Sequence, residues 1–315
     1  MRKLIILLLA LLVLGGCGAE VDLPHNIGEG ASAPSLSVSD SAAVVLPSAA
    51  PSPIDSSRFI SDKLAAQAVA AATPYDYPRE LKALVLPHHG TAAQLISSSL
   101  ATIEATAADA ETTPPLVIII GPNHANSGHA VTASTRGWLS CYGGVSVDAQ
   151  LAEDLAAQGL LQIDEQQIEN EHSIGVLAPF LAYYLPDVPV LPLIFHYCYD
   201  TAKVAELFAA LQPQLEAGAL LVASIDFSHH LSVEQAAERD AETEAVLLEL
   251  NSGRIAQMNS EYLDAPTLLA ALLDLAADNG WQPVIGAHTS AAAIAGAQQM
   301  DDITTYFCIG LGPAE

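Results

Sequence analysis

Histidines and an aspartate stand in three short turns, each of which follows a run of apolar residues. The turns read Pro87-His88-His89-Gly90, Gly121-Pro122-Asn123-His124 and Asp226-Phe227-Ser228-His229. Imidazoles and carboxylates are ligands that iron and zinc ions take in proteins, and a histidine beside them can transfer protons. His88, His124, Asp226 and His229 are therefore candidates for one metal site with an acid or base next to it.

The apolar runs before these turns are predicted strands. Strand patterns cover residues 84–86, 116–120, 188–195, 219–223 and 304–311, and helical patterns lie around residues 91–107, 147–158, 201–215, 232–250 and 264–278. This alternation predicts an α/β fold with a mostly parallel central sheet and helices on both faces. In such a sheet the ligand crevice lies beyond the carboxyl ends of the strands, so we expect the three turns to converge there.

A fourth motif, Glu171-His172-Ser173-Ile174, lies between the second and third turns. In this order and at this spacing the four motifs resemble those of the MEMO family, which includes protein B of the AmmeMemoRadiSam system. The resemblance extends from about residue 79 towards the end of the chain. It implies a fold similar to that of the class III non-haem iron extradiol dioxygenases.

The resemblance also implies that His88 and His124 bind a metal ion together with a cysteine from a Cys-Gly motif. The corresponding segment reads Val284-Ile285-Gly286-Ala287-His288, so Ile285 stands at the cysteine position. Isoleucine cannot bind a metal, and His288 precedes a predicted helix, so His288 is the candidate for the third ligand, with water or Asp226 in that position as the alternative. Loss of a soft thiolate favours iron or zinc over copper(I). The predicted cofactor is a divalent metal, iron first, with zinc or copper as alternatives.

Three residues are predicted to act beside the metal: His229 as acid or base, with Asp226 and His172. Asp226 and His229 are three residues apart in one turn, a spacing that also suits a pair that orients the metal ligands. His172 has a second interpretation, because Glu171 and Ser173 also fit the beginning of a helix.

The first residues have the pattern of a targeting segment. Arg2 and Lys3 precede an apolar run over residues 4–14, and Gly15-Gly16-Cys17 resembles a lipobox. The run is too short to span a bilayer, so we predict a lipoprotein signal peptide over residues 1–16 and lipidation of Cys17. An ordinary secretory signal with a chance cysteine is the alternative. Residues 17–78, rich in Ala, Ser and Pro, are predicted to form a tether, and residues 79–315 the MEMO-like domain.

A lipid anchor would place the domain in the cell envelope, at the outer membrane of a Gram-negative cell, in the periplasm or outside. An oxidising compartment permits one disulfide among Cys141, Cys198 and Cys308, and spacing alone cannot pair them. With 36 acidic and 10 basic residues, the formal net charge is −26. This charge repels nucleic acids and anionic surfaces, so we expect no nucleic-acid partner and membrane contact through lipid alone.

These features predict a surface-tethered domain with a histidine-rich mononuclear metal site that acts on a small molecule. The resemblance favours non-haem oxygenase-like or redox chemistry, whereas a zinc-like ion would activate water for hydrolysis. A non-catalytic module that carries metal or binds a ligand is the third reading. Likeness of fold does not determine which of these applies.

Overall fold

The computed structural model describes residues 52–106, 113–197 and 200–314. The strands in these residues are β1 (Ile54–Asp55), β2 (Ala83–Leu86), β3 (Val117–Pro122), β4 (Val131–Ala133), β5 (Trp138–Ser140), β6 (Gly143–Val145), β7 (Gln162–Ile163), β8 (Val190–Phe195), β9 (Leu220–Ser224), β10 (Phe227–Leu231), β11 (Trp281–Ser290) and β12 (Ile303–Pro313).

The helices of the same residues lie mostly between these strands. They are α1 (Asp62–Ala70), α2 (Ala93–Thr106), α3 (Ala149–Ala157), α4 (Glu165–Asn170), α5 (His172–Gly175), α6 (Ala178–Tyr184), α7 (Thr201–Ala210), α8 (Gln212–Glu216), α9 (Val233–Leu248), α10 (Ser252–Ile255), α11 (Pro266–Asn279) and α12 (Ala291–Ile294). In the part of the chain that the structure describes, no helix has both the length and the apolar character needed to cross a membrane.

The main sheet is built around four neighbouring parallel strands in the order β2, β9, β3 and β8. Beside β2 runs the antiparallel strand β12, which also pairs with β10 and β11, and beside β8 runs the antiparallel strand β4, which carries β7. A small second sheet has the order β1, β5, β6. The predicted α/β fold is confirmed: its centre is parallel, and the outer strands make the whole sheet mixed.

Hydrophobic layers cover both faces of the main sheet. Successive residues of a strand point to opposite faces, so Val85 and Ile118 pack in one layer while Leu84 and Val117 pack in the other. The first layer includes side chains of α3, α7, α9 and α11, and the second includes those of α1, α2 and α6. Burial on both faces explains why the central strands appear in the sequence as uninterrupted apolar runs.

The folded domain begins earlier than the predicted boundary at residue 79. The side chain of Ile54 in β1 is 1% exposed, and Tyr77 is buried against β12. The described residues from 52 onward belong to one compact unit, so the predicted tether is too long at its carboxyl end. The apolar residues of this segment are too widely spaced among alanine, serine and proline to give a period that sequence reading detects.

Several predicted features fall outside the described residues: the signal peptide, Cys17, most of the tether and Cys198. Cys141 is exposed and Cys308 is buried, and both carry free thiols. These two cysteines therefore do not pair with each other.

Replacing Ile54 tests whether residues before 79 belong to the core. Ile54→Ala is expected to lower the free energy of unfolding by about 2–4 kcal/mol, because it removes a fully buried side chain. Leu139→Ala, in the strand that pairs with β1, is the control: Leu139 is 53% exposed, and its loss should change stability by about 0.5 kcal/mol or less. Equal effects in a urea titration would contradict the revised boundary.

Candidate metal centre

Three histidines meet at the carboxyl ends of the central strands. His88, His124 and His172 each offer a ring nitrogen within 4.8 Å of the other two. The ring centroids are 5.1 Å apart for His88 and His124 and 4.0 Å apart for His124 and His172. His88 and His124 therefore lie together, as the shared-site prediction requires. His172, which we predicted to act beside the metal, is the third imidazole of this three-histidine cluster.

The parallel strands explain how residues so far apart in sequence come together. His88 follows β2 and His124 follows β3, and β9 lies between these two strands in the sheet. β9 ends at Ser224, and α5 begins at His172. Because parallel strands end at the same edge of the sheet, their turns share the crevice beyond that edge.

His88 is held with one ring nitrogen turned towards the crevice. Its Nδ1 lies 3.1 Å from the hydroxyl of Ser224, and that hydroxyl donates to the carbonyl oxygen of Ser173 at 2.5 Å. Since the Ser224 proton is committed to Ser173, Nδ1–H of His88 is the donor in the first bond. Nε2 therefore faces the cluster, which is the arrangement expected of a metal-binding histidine.

His124 is oriented in the same way by a buried carboxylate. Its Nδ1 lies 2.8 Å from Oε1 of Glu171, and its backbone N–H donates to Oε2 of the same residue. Burial raises the pKa of Glu171, but the hydrogen bond from His124 and the His124 charge outweigh it and lower that pKa to about 2. An ionised Glu171 fixes the Nδ1–H form of His124 and leaves Nε2 free to bind a cation.

Removing the charge of Glu171 should weaken metal binding without removing a ligand. Glu171→Gln is expected to lower the affinity for zinc or iron(II) by about 10- to 100-fold, as is usual when a partner of a metal ligand is lost. Glu169→Gln is the control, because Glu169 bonds to Arg58 and Arg136 away from the cluster. Equal affinities of the two variants in a competition titration would show that Glu171 does not support the site.

Two more carboxylates lie beside the cluster. Asp226, predicted for the site, accepts the backbone N–H of His88 at 3.0 Å. Asp264 was not predicted, yet its Oδ2 lies 3.1 Å from Nε2 of His88 and 3.9 Å from Nε2 of His124. Only 8% of the Asp264 side chain is exposed, and its Oδ1 has no hydrogen-bond partner among the described residues. In the sequence, Asp264 is an acidic residue just before a helix that begins with Pro266. Acidic residues at such positions usually cap a helix, so no sequence pattern marks Asp264 as a metal ligand.

Burial and neighbouring charges shift the pKa values of His88 and His172 in opposite directions. Burial lowers the pKa of His88, but the carboxylates of Asp226 and Asp264 outweigh it and raise that pKa to about 9. Burial lowers the pKa of His172 to about 4, and the charges of His124 and His88 act in the same direction. At neutral pH the metal-free protein therefore holds a charged His88 next to a neutral His172.

A cavity of about 520 Å³ opens beside the cluster. His124, Asp264 and His229 line it together with apolar side chains such as Phe195 and Leu263, and none of its described lining residues is a lysine or arginine. Nδ1 of His229 is buried without a hydrogen-bond partner among the described residues. Burial lowers the pKa of His229, although the charge of Asp264 opposes it. His229 is thus a neutral imidazole beside the cavity.

His288 does not lie in the cluster, contrary to the expectation that it supplies the third ligand. It stands in β11, which continues to Ser290 where a helix was predicted. Its Nε2 lies 2.7 Å from Oδ2 of the buried Asp240, and its ring stacks on Phe307 with centroids 4.0 Å apart. Ile285 packs against the hydrophobic core. β11, which contains the segment that corresponds to the family's Cys-Gly motif, therefore contributes no residue to the three-histidine cluster.

Comparison with known proteins places these residues in a family. Residues 58–265 match the Memo-like protein family. The chain belongs to this family. The Memo-like match includes all three histidines of the cluster and Asp264, and it ends before β11 begins.

Two MEMO1 family proteins are similar to this Memo-like chain over about half of its length. A MEMO1 family protein of Methanopyrus kandleri is 32% identical over 171 residues, which cover 52% of this chain and 59% of the relative. A MEMO1 family protein of Methanosarcina acetivorans is 33% identical over 177 residues, which cover 55% of this chain and 63% of the relative. The chain thus spans about three fifths of the length of these relatives. The solved structure of an uncharacterized protein from Escherichia coli K12 aligns with a TM-score of 0.46 at 16% identity, over 73% of this chain and 99% of that chain.

Proposed function

We propose that this Memo-like protein is a metal-dependent enzyme that holds one divalent ion at the three-histidine cluster and acts on a small organic molecule in the adjacent cavity. The observation that supports the proposal most strongly is the orientation of His88 and His124. Ser224 and Glu171 each engage Nδ1, so both Nε2 atoms face the cluster. A histidine that only hydrogen-bonds within a loop does not need its Nδ1 fixed in this way, whereas a metal-binding histidine usually has such a partner.

The metal ion and the residues around the cluster would have different chemical roles. A divalent ion would polarise a bound oxygen atom or lower the pKa of a bound water molecule. His229 lines the cavity as a neutral imidazole and is placed to take a proton from a molecule bound there. Phe195 and Leu263 exclude water from part of the cavity and favour a ligand with an apolar body.

The donor set favours iron or zinc. Imidazole suits iron, zinc and copper alike, and the nearby carboxylates Asp226 and Asp264 are hard oxygen donors that suit copper(I) poorly. An iron ion would favour oxygenase-like or redox chemistry, and a zinc ion would favour hydrolysis.

Metal loading with a reaction screen separates the candidate functions. Purified with iron(II) or zinc, the protein is expected to hold one ion per chain by elemental analysis, and the loaded protein is expected to turn over a substrate in a screen of catechols and simple esters. Metal without turnover would instead favour a carrier. Absence of stoichiometric metal would contradict the proposal and leave a binding scaffold.

We also propose that Cys17 carries the lipid that attaches the protein to the cell envelope, with the segment before residue 52 as its tether. The sequence Gly15-Gly16-Cys17 after an apolar run supports this proposal. Two or more acyl chains are needed for firm attachment, which lipidation at a lipobox provides.

Replacing the acylated cysteine tests the anchor. Cys17→Ser is expected to abolish incorporation of labelled palmitate and to move the protein from the detergent phase to the aqueous phase in a partition assay. Cys141→Ser, which changes an exposed thiol of the domain, is expected to behave as wild type. Palmitate uptake by the Cys17 variant at the wild-type level would refute the anchor.

A further inference from the structure

Asp264 has the position and surroundings of a metal ligand. Its Oδ2 lies 3.1 Å from Nε2 of His88 and 3.9 Å from Nε2 of His124. Two donors that each bind one ion at about 2.1 Å are separated by about 3.0 Å at a right angle, about 3.4 Å at the tetrahedral angle and at most about 4.2 Å. Both observed distances fall in this range.

The second carboxylate oxygen of Asp264, Oδ1, makes no hydrogen bond among the described residues. The side chain is 8% exposed. A buried carboxylate oxygen without a partner is costly, so its presence calls for a cation or another donor. The adjacent cluster is where such a cation would bind.

Asp226 differs from Asp264 in this respect, although it is also buried. Its Oδ1 accepts the backbone N–H of His88, and its Oδ2 lies 3.8 Å from Nε2 of His88. Its backbone carbonyl accepts the N–H of Asp264, and its backbone N–H donates to Oδ2 of Asp264 at 3.4 Å. Asp226 thus orients the backbone of His88 and Asp264, and the buried carboxylate oxygen that lacks a hydrogen-bond partner among the described residues belongs to Asp264.

We propose that Asp264 is an oxygen ligand of the metal and takes the place that a cysteine holds in the MEMO pattern. This inference rests on the metal site proposed above. Neither Ile285 nor His288 competes for the role, because both stand in β11 away from the cluster and beyond the matched residues 58–265. Two histidines and a carboxylate are the donor set of many non-haem iron(II) sites.

Exchange of the carboxylate for a thiolate provides a direct test with cobalt(II) as the probe. Asp264→Cys in the full chain is expected to add a sulfur-to-cobalt charge-transfer band that the wild type lacks. It should also shift the metal preference towards copper(I), which favours soft thiolates. Ile285→Cys is the matched control, and its cobalt spectrum is expected to equal that of the wild type.

A second variant keeps the test decisive if the cysteine disturbs folding. Asp264→Asn preserves shape and removes the charge, and it is expected to lower zinc affinity at least about 10-fold. If the wild type binds cobalt but Asp264→Asn retains wild-type affinity or a folded Asp264→Cys shows no new band, Asp264 is not a ligand and the histidine site stands. Failure of the wild type to bind cobalt would overturn both proposals.

Discussion

Replacing His88 or His124 by alanine is expected to lower metal affinity by more than about 100-fold, since loss of a partner that merely orients a ligand already costs about 10- to 100-fold. Both residues present Nε2 to the cluster, and both are fixed by a hydrogen bond at Nδ1. Equilibrium competition with a chromophoric zinc chelator measures the loss. His172→Ala is expected to have a smaller effect, because 45% of its side chain is exposed and its Nδ1 lies 3.4 Å from Oε1 of Glu171, farther than Nδ1 of His124 at 2.8 Å.

Histidines outside the cluster provide the controls. His129 is exposed, and His288 is bonded to Asp240. Alanine at either position is expected to leave zinc affinity within about 2-fold of wild type. A loss at His288 equal to that at His88 would show that the metal lies near β11 and would contradict the assignment of the site.

Metal affinity is expected to rise with pH up to about 9. Asp226 and Asp264 raise the pKa of His88 to about 9 against the effect of burial, so the metal-free protein holds a proton that the metal must displace. Affinity should therefore increase about 10-fold per pH unit from pH 6.5 towards 9 and then level off. His172, with its pKa lowered to about 4, is already neutral over this range and adds no dependence.

The stability of the metal-free protein should change with pH in the opposite direction to its metal affinity. A histidine whose pKa is raised on folding stabilises the fold fully below its unfolded pKa of about 6.5 and loses that contribution as the pH rises towards 9. The metal-free protein should therefore lose stability between these values. Asp226→Asn removes the larger of the raising charges on His88, so its affinity profile should level off at lower pH. A wild-type affinity that is flat from pH 6.5 to 9 would contradict a protonated His88.

The central part of the fold could be predicted because its signal is local. β2, β3, β8 and β9 are buried on both faces, so each appears as an apolar run. The strands β4 to β7 are too short to show a period, and β10 carries the polar sequence Phe227-Ser228-His229-His230-Leu231. The apolar residues between Ile54 and Tyr77 are isolated in the sequence. They are buried by tertiary contacts, which no local sequence pattern indicates.

The site was predictable only in part for a similar reason. His88 and His124 stand directly after apolar strands, where topology alone places ligands. Asp264 reaches the same crevice from the beginning of α11, and no local pattern separates it from an acidic residue that caps a helix. His288 was misplaced because β11 extends to Ser290, so His288 lies inside a strand that pairs with β12 and not at the beginning of a helix.

Anomalous diffraction from crystals of the zinc- or iron-loaded protein tests the central claim most directly. The expected result is a single strong peak per chain, at about 2.0–2.2 Å from Nε2 of both His88 and His124 and within reach of His172. A peak bound instead to His288 or Asp240, or no ordered peak in protein that contains stoichiometric metal, would contradict a metal centre at the three-histidine cluster.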